Sequence, residues 1–246
     1  MSRIVSFYGS VIGKKVIVAV TGVILFAYVV GHMAGNMKSF LGTNAEGVPE
    51  VDVYAHFLHT VGEPLFGYGE LLWIVRVFLL IAVVLHIVTV IHLTVVNRAA
   101  RSDRYVKHAN VQSTLAARLM LLTGVLLLAF IVVHILQFTT GTIDPARYRE
   151  GEVYGNLHRT FQAWYYMLLY VVAMVMLALH VYHGVWSMFQ TLGLDNPDRN
   201  RGLRLFAAIS AVVLLVGFSS VPLMFFSGMM PEPPDVPVMS QSLGGE

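Results

Sequence analysis

The sequence predicts an all-α integral membrane protein of five transmembrane helices, and three observations carry that expectation. The 246 residues are 57% hydrophobic and only 12% charged, whereas a water-soluble domain carries about 25% charged residues. The mean hydropathy is +0.70. The charges gather in short islands between apolar runs long enough to cross a hydrocarbon layer of about 30 Å at roughly 20 residues each. A soluble globule is excluded on those grounds.

The spans follow in order. Residues 16–36 come after Arg3, Lys14 and Lys15; the run is too long for a signal-peptide core and lacks a small-residue cleavage pattern, so it reads as a retained first span. A long loop, Lys38 to Gly69, carries Gly, Pro and acids. It is expected to fold over the mouth of the bundle, with a short interfacial helix around Tyr54 to Val61. Residues 71–96, 118–139 and 163–190 form the next three spans, and 203–228 the fifth, where Pro222 is expected to bend or break the outer end. All five are helical, because lipid offers no water to an open backbone. Residues 1–230 make one five-helix unit and 231–246 an extracytoplasmic tail. No low-complexity run and no convincing internal repeat is visible.

Loop charge sets the orientation, since basic residues stay on the cytoplasmic side of short loops. Arg3, Lys14 and Lys15, then Arg98, Arg101, Arg104 and Lys107 with Arg118 at their edge, then Arg199, Arg201 and Arg204 all face inward. Outward loops offer Lys38, and Arg147, Arg149 and Arg159 diluted by Asp144, Glu150 and Glu152. The N-terminus is therefore cytoplasmic and the C-terminus outside. Trp73 and the Trp164, Tyr165, Tyr166 cluster mark the outer headgroup level.

Cysteine is absent, which excludes disulfides, thiolate metal sites and C-x-x-C-H haem attachment. Any metal must be held by histidine or oxygen. The net charge of +2 serves topology, and no nucleic-acid partner is expected. No Asp or Glu lies within an apolar core, which argues against an ion-coupled transporter.

His32, His86, His134 and His180 each lie inside an apolar span. Taken singly, each could merely hydrogen-bond a neighbouring helix. Depth separates the readings. At about 1.5 Å of rise per residue, His32 and His134 lie roughly 25 and 24 Å from the cytoplasmic surface, and His86 and His180 roughly 17 and 15 Å. Two pairs at two depths, each drawn from alternate antiparallel helices, are the arrangement that clamps two stacked haems inside a bundle. An iron with both axial positions filled by histidine transfers electrons and does not bind oxygen.

His92 and His183, roughly 8 and 10 Å from the inner surface, form a rival pair. His183 also suits a haem propionate or a partner-facing hydrogen bond. Arg118 can reach a propionate at the inner entrance of the third span, or mark topology. Arg76, about 15 Å outward of His86, can answer the upper propionates or snorkel. Glu63 and Glu70, at the outer end of the second span, are candidates for proton exchange with a quinone, or ordinary solvated acids. His56, His59, His108 and His158 fall in loops or at interfaces, where a solvated histidine is the ordinary case.

These residues resemble the five-helix dihaem cytochrome b subunit of succinate dehydrogenase and fumarate reductase, the membrane anchor of complex II. The resemblance spans roughly residues 10–225. It is carried by GKKVIVAVTGVILFAYVVGHMAGN around His32, by the second-span histidine followed by NRAAR, by LAARLMLLTGVLLLAFIVVH ending at His134, and by HVYHGVWSMFQTLG from His180. In that family the fourth ligand stands four residues before a glycine, as His180 does before Gly184, which favours His180 over His183. The resemblance implies two haem b groups, the distal one on His32 and His134 and the proximal one on His86 and His180. Some members place a glutamate for transmembrane proton return where this chain has Ala178.

The resemblance further implies a prokaryotic inner-membrane, non-flavin subunit of succinate:quinone oxidoreductase. Its partners would be a flavoprotein and an iron-sulfur subunit on the cytoplasmic face, with a membrane quinone as substrate, and a higher oligomer of the whole complex stays open. Dicarboxylate chemistry would belong to the partners. Two alternatives remain: the dihaem subunit of a nitrate reductase or hydrogenase, which tends to place two ligands on one helix, and a non-haem transporter.

Overall fold

The chain starts its first helix earlier than hydropathy alone suggests, because Ser10 caps it. The Ser10 hydroxyl accepts from the Gly13 N–H at 2.9 Å and donates to the Phe7 carbonyl at 2.8 Å, so an otherwise orphan helical donor is satisfied. Lys14 thereby falls inside the helix, where its Nζ donates to the Gly9 carbonyl at 3.0 Å and lies over the Tyr8 ring.

The computed structural model describes residues 7–100, 115–196 and 200–234. The helices are α1 (Val11–Met37), which runs into a 3-10 turn at Lys38–Phe40, α2 (Glu50–Thr60), α3 (Glu70–Ala99), α4 (Leu115–Phe138), α5 (Val153–Phe161), α6 (Trp164–Thr191) and α7 (Asn200–Phe226). Among the described residues, α1, α3, α4, α6 and α7 are long and apolar enough to cross a membrane, and the chain is an all-α multi-pass membrane protein. Arg3, Arg101, Arg104, Lys107, His108, Arg199 and most of the tail lie outside the described residues.

The packing is that of a protein dissolved in lipid. The buried residues of α3 are Ala82 and Thr89, and those of α4 are Ala116, Thr123 and Gln137. Large aliphatic side chains such as Val77, Leu80, Leu122 and Val125 face outward. Small and polar residues sit between helices because lipid gives apolar side chains no reason to turn inward.

Two antiparallel hairpins form the frame. α1 lies along α3, and α4 lies along α6. α7 packs most closely on α6, with Ala207 and Leu214 against Val181 and Val185. The hairpins meet along α1 and α6, whereas α1 barely approaches α4, and α3 barely approaches α6. α7 carries no histidine and buttresses the α6 side. It continues past Pro222 to Phe226, so the expected break does not occur: the proline is buried within the helix, and its ring is accommodated one turn from the end.

One end of the bundle is covered by α2 and α5. The interfacial helix expected around Tyr54 to Val61 is α2, four residues longer at its start. α5 has no counterpart in the sequence reading. Tyr154, Leu157 and Phe161 of α5 join Val51 of α2, Tyr170 of α6, and Val221 and Phe225 of α7 in one cluster. Asp52 of α2 accepts the Tyr154 N–H at 2.9 Å, capping α5 from another helix. Burial pushes the Asp52 carboxyl up to about 6, against the pull of the Tyr154 and Val153 amides.

Candidate functional site

The spanning histidines meet at two levels. On the capped side, His32 of α1 faces His134 of α4 with ring centroids 5.8 Å apart and planes at 76°, although the two backbones do not close-pack. His32 stacks on Tyr28, 5.5 Å away at 10°. Phe130, Phe138 and Phe218 complete an aromatic surround. His134 Nδ1 lies 3.3 Å from the Tyr170 hydroxyl, which donates to Gln137 Oε1 at 2.9 Å. The tyrosine's proton is thus committed, and its oxygen accepts from the imidazole. Asn36 Nδ2 donates to the His32 carbonyl at 2.8 Å and stands 3.5 Å from His32 Nε2.

On the far side, His86 of α3 and His180 of α6 are near enough to interact electrostatically. His86 Nδ1 lies 3.0 Å from Thr21 Oγ1, and His180 Nδ1 lies 3.2 Å from Thr123 Oγ1. The Val18 carbonyl also lies within hydrogen-bonding reach of the His86 ring, and among the described residues Nε2 of His180 is left without a hydrogen bond.

The residues fit haem. An iron held by two imidazoles at nitrogen–metal bonds of about 2 Å puts the ring centroids roughly 6 Å apart, close to the His32–His134 separation. Two imidazoles per level also suit a porphyrin iron, which lacks only its axial ligands. A bare ion wants more, and no group of three or more His, Cys, Asp or Glu is so placed among the described residues. Each level also carries an orphaned buried polar atom three residues beyond a histidine, Thr89 Oγ1 after His86 and Gln137 Nε2 after His134.

His92 is exposed, and its Nδ1 lies 2.8 Å from the Tyr8 hydroxyl. His183 is half-buried beside His180. Arg118 is exposed at the start of α4. Arg76 lies over the Trp73 ring at 5.0 Å and within electrostatic reach of Tyr28, the residue stacked on His32. Glu63 and Glu70 are exposed, and Glu70 accepts the Gly67 N–H at 3.0 Å in the turn before α3. His59 bonds the Ala55 carbonyl and stacks on Tyr68, His56 lies tilted against the same ring, and His158 lies edge-on to Phe225.

Thr21, Thr123, Tyr170, Gln137 and Asn36 escape the sequence reading. One signal for the threonines is present: both stand eleven residues before a spanning histidine and directly before a glycine. Comparison with known protein families, curated proteins and solved structures finds no match to the chain. Function is therefore read from the site itself.

Proposed function

We propose that this chain is the membrane-anchor dihaem cytochrome b subunit of a succinate:quinone oxidoreductase, holding one haem b between His32 and His134 and another between His86 and His180. The observation that carries the reading is the facing of the His32 and His134 imidazoles across helices that do not close-pack, with a second histidine pair one level away. A haem held by two of these imidazoles would supply one-electron transfer and would leave oxygen no place at the iron.

The chain's own residues do the holding. Each imidazole offers a nitrogen, and hydroxyls on neighbouring helices take the opposite N–H of His86, His134 and His180. Phe130, Phe138 and Phe218 keep water from the capped level. The assignment to complex II rests on the sequence motifs, above all His180 with Gly184. It brings with it a prokaryotic cell membrane, the N-terminus and basic loops on the cytoplasmic face, and a flavoprotein and an iron-sulfur subunit docked there. With no cysteine in this chain, the iron-sulfur clusters would be the partner's. A membrane quinone would react at the capped, outer end, where Glu63, Glu70 and Arg76 lie.

The test is purification in mild detergent with haem counted by its visible spectrum. Two low-spin b haems per chain, reduced by succinate when flavin and iron-sulfur subunits co-purify, are the expected result. A colourless preparation overturns the cytochrome reading. Two haems with a molybdenum or nickel partner would move the chain to the nitrate reductase or hydrogenase type.

A further inference from the structure

We propose that Thr21 and Thr123 are the positioning residues of the far-side histidine pair: each hydroxyl fixes the imidazole of the next spanning helix so that Nε2, and not Nδ1, is presented to an iron. This rests on the dihaem reading and deepens it.

Thr21 Oγ1 donates to the Ile17 carbonyl at 2.7 Å, and Thr123 Oγ1 to the Leu119 and Met120 carbonyls at 3.0 Å. That is how a buried helical threonine satisfies itself, and it spends the only hydroxyl proton. The oxygen can then only accept, so the ring nitrogen facing it carries the hydrogen. His86 and His180 are thereby set with Nδ1–H toward the threonine. In each ring Nε2 keeps the lone pair that a metal needs.

The neighbouring glycines flank the same rings. A Cβ on Gly22 would lie 3.7 Å from His86 Cε1, and one on Gly124 would lie 3.4 Å from His180 Cε1. Each imidazole therefore lies beside a Thr-Gly step, bonded at Nδ1 by the threonine and with Cε1 toward the glycine.

The arrangement occurs twice. α1 reads Thr21-Gly22-Val23 and then His32; α4 reads Thr123-Gly124-Val125 and then His134, with the same spacing. Eleven residues are about three helical turns, within roughly 20° of the same face and about 16 Å apart. α1 and α4 thus each carry a ligand for the capped level and a clamp for the far level. The internal repeat that the sequence alone does not make convincing is this pair of hairpins. Partners of this kind orient a ligating histidine and raise its basicity, and their loss typically costs 10–100-fold in metal affinity.

The test compares wild type with Thr21→Val, Thr123→Val and the double variant, near-isosteric changes that remove the hydroxyl, and with Thr21→Ser and Thr123→Ser. Readouts are haem count, the low-spin electron paramagnetic signal of each haem, and its midpoint potential. The single valine variants should shift the signal and raise the potential of one haem alone. The double variant should bind that haem 10–100-fold more weakly, and serine should restore both properties. The second haem's unchanged signal reports that the bundle is folded. Valine variants whose two haems match wild type overturn the assignment, as does equal loss of both haems, the mark of a merely structural role. A wild-type protein without haem overturns the dihaem reading and this assignment together.

Discussion

A histidine ring in hydrocarbon has two nitrogens to satisfy, and the four spanning rings meet that need differently. His86 and His180 lean on threonines, His134 on Tyr170, and His32 on stacking with Tyr28. Tyr170→Phe removes the acceptor of His134 and leaves Gln137 Oε1, in a residue whose Nε2 is already orphaned, without its donor. A buried polar atom left unpaired costs about 1–3 kcal/mol, so the variant should melt at a lower temperature and perturb only the haem of the capped level. His92→Ala should leave two haems in place, because His92 faces Tyr8, whereas His86→Ala should lose the far one; haem counting checks both. The ligand candidates were legible because helical rise converts position into depth, and a shared depth is a statement about space. Their partners were not, because a threonine that bonds its own helix gives no sign of what approaches from the next.

At the scale of elements, the spans declare themselves and the cap does not. α5 is only nine residues long and mixes Asn156, His158, Arg159 and Thr160 among them, so it does not stand out as a span; its signal is the short apolar stripe Tyr154, Leu157 and Phe161 at helical spacing. It folds where it can bury Tyr154, Leu157 and Phe161 and receive a cap from Asp52, about a hundred residues earlier. Asp52 makes that docking sensitive to pH. Its folded-state value is about 6 against an ordinary 3.8, so the folded protein holds the proton through a range in which the unfolded chain has lost it. The resulting stabilisation is complete below about 3.8 and is lost as the pH rises through about 6. Protection of the α5 amides against hydrogen exchange should therefore be greater at pH 5 than at pH 7. Asp52→Asn, which keeps an acceptor without a charge, should abolish that loss of protection between pH 5 and pH 7. Pro222 teaches the converse: a residue expected to bend or break the outer end of α7 lies inside a helix that continues to Phe226.

For the whole molecule, the proposed dihaem arrangement would turn the two levels of the bundle into a path with direction. Thr21, which bonds His86, lies eleven residues before His32, about 16 Å, which is roughly half of a 30 Å hydrocarbon core and about twice the separation that counting from the loop edges gives. A charge crossing the full field exchanges about 2.3 kcal/mol per 100 mV, so an electron moving from one level to the other exchanges about 1.2 kcal/mol. The proposed orientation, with the basic loops on the cytoplasmic side, makes the far level inner and the capped level outer. An interior-negative potential pushes an electron outward, so it should favour electrons entering from cytoplasmic partners and leaving to a quinone at the capped end, and oppose the reverse. The bias is on the order of tenfold in equilibrium per 100 mV. Sealed vesicles of known orientation carrying the whole complex, poised at imposed potentials with a potassium gradient and valinomycin, should show faster succinate-dependent quinone reduction as the interior becomes more negative, and slower quinol-dependent fumarate reduction. Rates indifferent to the potential would mean that the quinone reacts at the inner level, leaving the His32–His134 pair off the path.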